Sequence, residues 1–227
     1  MDHTSRQVLV TADGSPTLAL PDLGITYHSR HGATQESNHV FIQAGLQHYW
    51  EVFPGQPVRI WEAGLGTGLN ALMTWLAAEQ QKISVTYVSA ELFPLEKSEY
   101  EAIHFESHLT GDQVQEKYRW LHEAEWETWQ EGSAYFRFKK MKMDFRSVAT
   151  HPGYDLIYYD AFAPGAQPEL WTPEQFARLY ASMNSGGRLV TYCSKGDVRR
   201  AMIHAGFSVE KIPGPPGKRE MLRAVKS

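Results

Sequence analysis

The sequence predicts an α/β fold with a mostly parallel sheet, and three observations support this. From Val58 onward, segments rich in β-branched and aromatic residues alternate with segments of helical periodicity. A glycine-rich turn over residues 64–68 joins the first of these strands to a helix. The last two predicted strands, 207–212 and 220–225, have only a turn between them, so we expect an antiparallel hairpin. Alternating strands and helices predict a parallel sheet covered on both faces.

The individual elements follow from local patterns. Residues 1–35 are predicted to form short strands and turns, with a hairpin turn at Asp13-Gly14, and residues 36–53 to form a helix. Seven strands are predicted for the main sheet, over residues 58–63, 83–90, 135–143, 154–159, 188–193, 207–212 and 220–225. The predicted helices span residues 67–80, 94–131 with a break near Gly111, 173–183 and 196–205. Thr172-Pro173 is a good start for the third of these helices, and Gly186-Gly187 is its predicted end.

Length and composition limit the classes of protein to which this chain can belong. The 227 residues suit one compact unit, which we interpret as an N-terminal extension over 1–57 that contributes to the substrate site and a Rossmann-like domain over 58–227. The formal net charge of −4 argues against a non-specific polyanion binder and leaves room for a local basic patch. A single cysteine, no apolar run of membrane-spanning length and no signal-peptide pattern predict a cytoplasmic protein without a membrane partner.

The turn over residues 64–68 has the pattern G-x-G-x-G and opens a predicted helix. Glycines are needed where a ligand approaches the backbone closely, and the start of a helix offers free N–H groups. A dinucleotide site requires a third glycine at the position that Leu69 occupies, so the pattern disfavours NAD and FAD. The predicted cofactor contacts in this segment are Glu62, Gly64, Gly66, Thr67, Gly68 and Asn70.

Two acidic residues at strand ends extend the predicted cofactor site. Glu91 lies 23 residues beyond Gly68, at the end of the next strand, where a carboxylate can accept hydrogen bonds from both ribose hydroxyls of a nucleoside. Asp144 ends the third strand and can accept from an adenine amino group while Phe145 packs on the ring.

The predicted order of strands resembles the seven-stranded sheet of class I methyltransferases. That resemblance implies S-adenosylmethionine as the cofactor. A metal site is not expected, because His104 and His108 lie one helical turn apart without a third ligand nearby in the sequence.

The segment 158–164 ends the fourth strand, where ligands of open α/β sheets bind. Methyl transfer to an amine requires a neutral nitrogen, and a nearby carboxylate can orient the N–H group or take the proton. Asp160 fits this catalytic task. Phe162 and Trp171 are predicted walls of the acceptor pocket.

Several short motifs together resemble the methyltransferase module of the bacterial MnmC family. They are Ser37-Asn38-His39-Val40-Phe41 with Gly45-Leu46, the glycine-rich turn, Asp160-Ala161-Phe162-Ala163-Pro164, Leu170-Trp171-Thr172, Gly186-Gly187 and Lys218-Arg219-Glu220-Met221. The resemblance covers the chain from about residue 25 to its end.

The resemblance implies N-methylation of the 5-aminomethyl group of a tRNA wobble uridine, giving 5-methylaminomethyl-(2-thio)uridine. It implies that Asp160 lies at the acceptor and that Pro164, Lys218, Arg219 and Glu220 lie near the substrate. The family's bifunctional members carry a C-terminal FAD oxidase half, and this chain ends without one. We therefore expect a stand-alone methyltransferase without FAD, whose aminomethyl substrate comes from a separate enzyme.

Binding tRNA with a negative net charge requires a concentrated basic patch. The candidates are Lys195, Arg199, Arg200, Lys218, Arg219 and Arg223, which we predict to converge on the rim around Asp160. Three alternatives stay open: a small-molecule amine N-methyltransferase, a polyamine-synthase-like aminopropyltransferase, and a non-catalytic nucleotide-binding module. The second normally has an acidic residue between the glycines, where this chain has Leu65 and Thr67.

Overall fold

The computed structural model describes residues 6–148 and 153–227, so residues 1–5 of the predicted N-terminal extension lie outside it. The strands are β1 (Gln7–Val10), β2 (Pro16–Leu20), β3 (Ile25–Thr26), β4 (Val58–Ala63), β5 (Val85–Glu91), β6 (Gln130–Ser133), β7 (Phe136–Lys142), β8 (Tyr154–Tyr159), β9 (Met183–Thr191), β10 (Ser208–Pro213) and β11 (Glu220–Val225). The α-helices are α1 (Ala33–Ser37), α2 (His48–Val52), α3 (Leu69–Gln81), α4 (Lys97–Glu101), α5 (Val114–Glu123), α6 (Pro173–Ser182) and α7 (Gly196–His204).

The main sheet confirms the predicted fold class. Its strand order is β10-β11-β9-β8-β4-β5-β7-β6, and the five strands from β9 to β7 in this order are mutually parallel. Strands β10 and β11 pair antiparallel, as predicted for the terminal hairpin. Because β4, β5, β7 and β8 are parallel, their carboxyl ends meet at one edge of the sheet, and the loops that follow them lie side by side.

The sheet has eight strands rather than the predicted seven. Strand β6 lies within and just beyond the region predicted as helix over 94–131, and it pairs antiparallel with β7 at the edge of the sheet. Its sequence, Gln-Glu-Gly-Ser, has no β-branched or aromatic residue, so pairing with β7 rather than intrinsic propensity makes it a strand. The helices of this region are confined to α4 and α5.

The predicted end of the helix at Gly186-Gly187 is also wrong, although its start is confirmed. Thr172 caps α6 by accepting a hydrogen bond from the Gln175 backbone, and the helix ends at Ser182. The two glycines lie inside β9, where Gly186 has a φ of 77° and a Cβ on Gly187 would lie 2.8 Å from the Asn184 carbonyl oxygen. These glycines therefore permit an irregular strand rather than a helix end.

The N-terminal segment covers one face of the main sheet. Strands β1, β2 and β3 form a small antiparallel sheet, with a turn at the predicted Asp13-Gly14. A continuous helical stretch follows, from α1 through a π-helical segment (Asn38–Gln47) into α2. It lies so close to the sheet that a Cβ on Gly45 would come within 3.1 Å of Val190 and 3.3 Å of Tyr158. The division at residue 57 stays a prediction.

The core has one layer on each face of the sheet, and strand β8 shows how the sequence builds both. Leu156 and Tyr158 pack with the N-terminal helical stretch and α3, while Ile157 and Tyr159 pack with α6 and α7. All four side chains are fully buried, as expected for a central parallel strand. Within residues 6–148 and 153–227, we find no helix with the length and apolar character needed to cross a bilayer.

Candidate functional site

A cavity of about 220 Å³ opens where β4, β5, β7 and β8 end. The side chains and backbone of the glycine-rich turn form its floor, and the loop after β8 forms one wall. Nine of the predicted site residues line it, namely Gly64, Gly66, Thr67, Asn70, Glu91, Asp144, Phe145, Asp160 and Phe162. The fold therefore brings residues at the ends of four separate strands together around one cavity.

The backbone conformation of the turn favours glycine. Gly64, Gly66 and Gly68 have φ angles of 89°, 52° and 77°, in the region that side chains disfavour. A Cβ on Gly64 would make van der Waals contact with the Phe145 ring at 3.6 Å and so occupy the space between the turn and that ring. Gly68 is the N-cap of α3, and the first two residues of that helix, Leu69 and Asn70, line the cavity.

The carboxylate of Glu91 is fixed by the backbone on both sides of the cavity. One oxygen accepts the Gly66 N–H at 3.0 Å, and the other accepts the Phe93 N–H at 2.7 Å. Each carboxylate oxygen retains a lone pair. Glu91 thus stands at the end of β5, held in place and facing the cavity.

Asp160 and Asn70 line the same cavity as Glu91. The Asn70 amide donates a hydrogen bond of 2.9 Å to one carboxylate oxygen of Asp160. Asn70 is buried, and its carbonyl oxygen has no hydrogen-bond partner among residues 6–148 and 153–227. Burial raises the pKa of Asp160 well above its ordinary value, and the negative charge of the nearby Glu36 raises it further.

Glu62 lies beneath the turn, not on the cavity wall. It is fully buried at the end of β4, and one of its oxygens accepts a 2.7 Å hydrogen bond from the Ser89 hydroxyl. Burial raises the pKa of Glu62 to about 8, although the hydrogen bond from the Ser89 hydroxyl opposes the increase. Glu62 is therefore mostly protonated at neutral pH.

Asp144 is already bound to a neighbour. Its carboxylate accepts the backbone N–H and the guanidinium of Arg146, and this pairing lowers its pKa. It follows β7 as predicted and lines the cavity beside Phe145. Its proposed contact with an adenine amino group stays a prediction.

The remaining predicted substrate residues lie outside the cavity lining. Trp171 is buried against Tyr159 and Phe176, and its indole N–H donates to the Phe162 carbonyl oxygen at 2.9 Å. Trp171 therefore holds the loop after β8 through this hydrogen bond and does not itself line the cavity. Pro164 lies in that same loop and is half-buried.

The predicted basic patch is only partly assembled. Lys195 and Lys218 both lie close enough to Cys193 to influence its pKa, so the two clusters approach each other there. The side chain of Arg200 pairs with Asp197, Arg223 pairs with Glu210, and Glu220 pairs with Lys211. Arg199 is half-buried and Arg219 is exposed. Their proposed contacts with phosphates stay predictions.

Two cavity residues come from the N-terminal segment and were not predicted. Tyr27 and His28 line the cavity, and the Tyr27 ring packs edge-on against Phe162 with centroids 5.4 Å apart. A second cavity of about 510 Å³ adjoins the first and shares Tyr27, Phe93 and Phe162 with it. No local motif marks Tyr27 or His28, because the packing of a distant sheet brings them here.

Comparison with known proteins identifies the family. Residues 116–227 match the model of a family described as S-adenosyl-L-methionine-dependent methyltransferase. The crystal structure of MnmC2 from Aquifex aeolicus matches 99% of this chain and 71% of its own, with 25% identity and a TM-score of 0.79. The chain belongs to the S-adenosyl-L-methionine-dependent methyltransferases. The predicted resemblance is thus confirmed, and the family's cofactor is S-adenosylmethionine.

Curated relatives of this methyltransferase share a single name. A protein from Nitrosospira multiformis, named tRNA 5-methylaminomethyl-2-thiouridine biosynthesis bifunctional protein MnmC, is 31% identical over 88% of this chain. A protein of the same name from Aromatoleum aromaticum is 32% identical over 94% of it. Each match covers 34% of the relative, so the chain spans about a third of the length of these proteins.

The cavity fits the family's cofactor on two observations. A Cβ on Gly64 would fill the space beside Phe145, and the buried polar atoms Thr67 Oγ1 and Asn70 Oδ1 find no partner within residues 6–148 and 153–227. Unpaired buried polar atoms are costly unless a ligand or water satisfies them. Among the same residues, no group of three or more His, Cys, Asp or Glu side chains is arranged to hold a metal ion.

Proposed function

We propose that this protein methylates the 5-aminomethyl group of a tRNA wobble uridine, with S-adenosylmethionine as the methyl donor. The observation that carries the proposal is the Asp160 carboxylate, which lies on the wall of the same cavity as the glycine-rich turn. The names of the MnmC relatives support tRNA as the substrate and a methylaminomethyl uridine as the product. We also propose that a separate enzyme supplies the aminomethyl group.

We propose that the cofactor lies between the glycine-rich turn and Phe145. Glu91 would accept hydrogen bonds from the ribose, Asp144 and Phe145 would contact the adenine, and Thr67 and Asn70 would contact the methionine part. When bound, the cofactor supplies an electrophilic methyl group on a sulfonium.

Asp160 is the proposed contact of the acceptor amine. One carboxylate oxygen accepts a hydrogen bond from Asn70, and the other has no hydrogen-bond donor in the part of the chain that the structure describes, so it can accept an amine N–H. This contact orients the nitrogen lone pair toward the methyl carbon. Asp160 would receive the proton that the amine nitrogen loses when it takes the methyl group that the bound cofactor would supply.

The second cavity is the proposed entrance for the target nucleoside. Its walls include the apolar side chains of Ile25, Leu92 and Phe93 together with Phe162, which also lines the first cavity. Leu92 and Phe93 are 37% and 46% exposed, so both can contact a molecule that enters this cavity. Aromatic side chains such as Phe93 and Phe162 can stack on unpaired bases.

Substitution of Glu91 tests the cofactor site. We expect Glu91→Ala to weaken S-adenosylmethionine binding by about 1.5–3 kcal/mol, because hydrogen bonds to a charged group are lost. Isothermal titration calorimetry with S-adenosylmethionine, S-adenosylhomocysteine and NAD measures this, and NAD should give no signal. Glu101→Ala, an exposed change on α4, is the matched control. Unchanged affinity in Glu91→Ala would remove Glu91 from the site.

Substitution of the α7 arginines tests contact with tRNA. Each phosphate contact contributes about 0.7–0.9 to the slope of log affinity against log salt. We expect Arg199→Ala/Arg200→Ala to flatten that slope by up to about two units and to leave S-adenosylmethionine binding intact. Lys97→Ala/Arg119→Ala removes two exposed cations from α4 and α5, neither of which lines the cavity, and should leave the slope unchanged. An equal slope in both double variants would favour a small-molecule acceptor.

A transfer assay tests the reaction itself. The purified protein and S-adenosylmethionine are incubated with bulk tRNA that carries the aminomethyl group but not the methyl group, and digested nucleosides are analysed by mass spectrometry. We expect methylaminomethyl uridine as the product. Parallel reactions with free amines, and with decarboxylated S-adenosylmethionine, separate methylation of tRNA from small-molecule methylation and aminopropyl transfer.

A further inference from the structure

The two cavities share a wall. The residues that line both of them are Tyr27, Leu92, Phe93, Phe162 and Gln167. In the proposed function the cofactor occupies the first cavity and the target nucleoside enters the second, so the acceptor amine meets the methyl group at this wall. Whatever fixes the shared wall therefore fixes the approach of one substrate to the other.

Arg6 precedes β1, lines the second cavity and contacts two of the shared residues. Its Nε donates a hydrogen bond to the Tyr27 hydroxyl at 2.9 Å, and one terminal nitrogen donates to the Phe93 carbonyl oxygen at 2.7 Å. The other terminal nitrogen donates to the Glu99 carboxylate at 2.9 Å and to the Pro94 carbonyl oxygen at 3.3 Å. Four of the five guanidinium N–H groups are thus used within the protein.

The guanidinium of Arg6 is part of the wall. Its side chain is 14% exposed, and its ionic partner Glu99 also accepts the Glu96 backbone N–H where α4 begins. A planar guanidinium holds several acceptors in fixed directions at once, which a lysine ammonium on a flexible stem does not. Low exposure and the number of its hydrogen bonds distinguish Arg6 from an arginine that extends toward a phosphate.

One set of contacts leads from Arg6 to the candidate ribose-binding carboxylate. The Phe93 carbonyl oxygen accepts from Arg6, while the N–H of the same residue donates to Glu91 at 2.7 Å. The other Glu91 oxygen accepts the Gly66 N–H at 3.0 Å. Arg6 therefore restrains the Glu91 carboxylate through a single intervening residue.

A second set leads to the loop after β8. The Tyr27 ring packs edge-on against Phe162, with centroids 5.4 Å apart. The same ring lies so close to the glycine-rich turn that a Cβ on Gly66 would come within 3.1 Å of it. Because the Tyr27 hydroxyl is bound to Arg6, the ring is held at both ends.

We propose that Arg6 is a positioning residue whose guanidinium holds Tyr27 and the Phe93 backbone in the wall shared by the two cavities. In this role it aligns Glu91 for the cofactor and the Tyr27 ring for the incoming nucleoside. The proposal rests on the proposed function for the identity of the two substrates. Its effect on Phe93 and Glu91 does not depend on which acceptor is methylated.

Amide exchange tests the restraint without cofactor or tRNA. Arg6→Met keeps an apolar side chain of similar length and removes all four hydrogen bonds. We expect the Phe93 amide, followed by NMR, to exchange with solvent faster by about tenfold or more, because the loop after β5 opens locally. Amides inside α7, such as that of Ala201, should keep the rates of the natural protein.

Binding and transfer measurements test the consequence for the reaction. Arg6→Met should weaken S-adenosylhomocysteine binding in calorimetry, and at saturating cofactor and tRNA it should lower the single-turnover rate by about tenfold or more through misplacement of the reactants. Arg6→Lys retains the charge without the planar guanidinium, so it should recover little of either loss. The salt dependence of tRNA binding should not change in either variant.

Tyr27→Phe separates the two sets of contacts with a milder change. It removes the hydroxyl that Arg6 binds and keeps the ring, so transfer should slow while Phe93 exchange and S-adenosylhomocysteine affinity stay close to those of the natural protein. Arg137→Met, which breaks an exposed ion pair with Glu131, is the matched control and should change none of these quantities.

Several results would overturn the proposal. Unchanged Phe93 exchange in Arg6→Met would show that Arg6 does not restrain the wall, and equally accelerated exchange in α7 would show a general loss of stability instead. Full recovery in Arg6→Lys would mean that charge alone matters, and a flattened salt slope would make Arg6 a phosphate contact. If exchange and cofactor affinity change as expected but tRNA is not methylated, only the acceptor in the proposed function is wrong.

Discussion

Asp160→Asn should reduce methyl transfer by about 100-fold or more, which is the scale of a lost general base. The substitution keeps an oxygen that can accept the hydrogen bond from Asn70, but it removes the negative charge that receives the amine proton. Cofactor affinity should change much less, because the proposed contact of Asp160 is to the acceptor. Single-turnover assays with saturating tRNA, together with calorimetry on S-adenosylmethionine, separate the two effects.

The pH dependence of this variant adds a second readout. Because burial raises the pKa of Asp160, the activity of the natural protein should increase with pH as the carboxyl ionises, in a range above the ordinary one for aspartate. The residual activity of Asp160→Asn should lack this limb. Asp155→Asn, at the opposite end of β8, is the matched control and should retain activity, since the Asp155 carboxylate accepts hydrogen bonds from the Arg59 backbone and the Asn184 amide and does not line the cavity. Near-normal turnover in Asp160→Asn would show that Asp160 is not the base.

Glu62→Gln should stabilise the protein at alkaline pH. The pKa of Glu62 is raised to about 8 in the folded state by burial, and it is about 4.3 in an unfolded chain. Between these values the folded state binds more protons, so the contribution of Glu62 to stability falls as pH rises from about 4.3 through 8. Each unit of pKa difference corresponds to about 1.4 kcal/mol, so the loss reaches up to about 5 kcal/mol.

Glutamine remains neutral at every pH, and it can still accept the hydrogen bond from Ser89. The free energy of unfolding of Glu62→Gln should therefore approach that of the natural protein at pH 5 and exceed it increasingly toward pH 8. Urea titrations across this range measure the difference. Burial lowers the pKa values of His28 and His122 to about 4, so their contributions to the free energy of unfolding increase with pH. These contributions are the same in the natural protein and in Glu62→Gln, so they cancel in the difference between the two. A constant difference would mean that Glu62 is ionised in the fold.

Most of the fold was predictable, because its signals are local. The alternation of buried strands with helices, the glycines at residues 64–68 and the short terminal turn each appear within a few residues of sequence. The prediction failed at β6, whose strand conformation depends on pairing with β7. It also failed at Gly186-Gly187, since glycine pairs end helices and permit irregular strands equally well.

The residues of the candidate site likewise fall into those that a local sequence signal predicts and those that only tertiary packing brings together. Glu91 and Asp160 were predicted because each lies at the carboxyl end of a strand of a parallel sheet, so topology alone brings them to one edge. Tyr27 and His28 were not predicted, since the packing of the N-terminal segment over the sheet brings them to the site. The ion pair between Lys218 and Glu36 joins residues 182 positions apart, which sequence spacing does not reveal.

The eighth strand has a consequence for self-association. Without β6, the seven residues of β7 would present unpaired N–H and C=O groups at the edge of the sheet, a template for another chain. Strand β6 is only four residues long, its register shifts between Glu131 and Ser133, and Glu131 pairs with Arg137. At the opposite edge, β10 exposes Glu210 and Lys211 and ends at Pro213. Short length, irregular register, charge and proline make both margins poor sites for the addition of a further strand, so the sheet is protected against edge-to-edge aggregation.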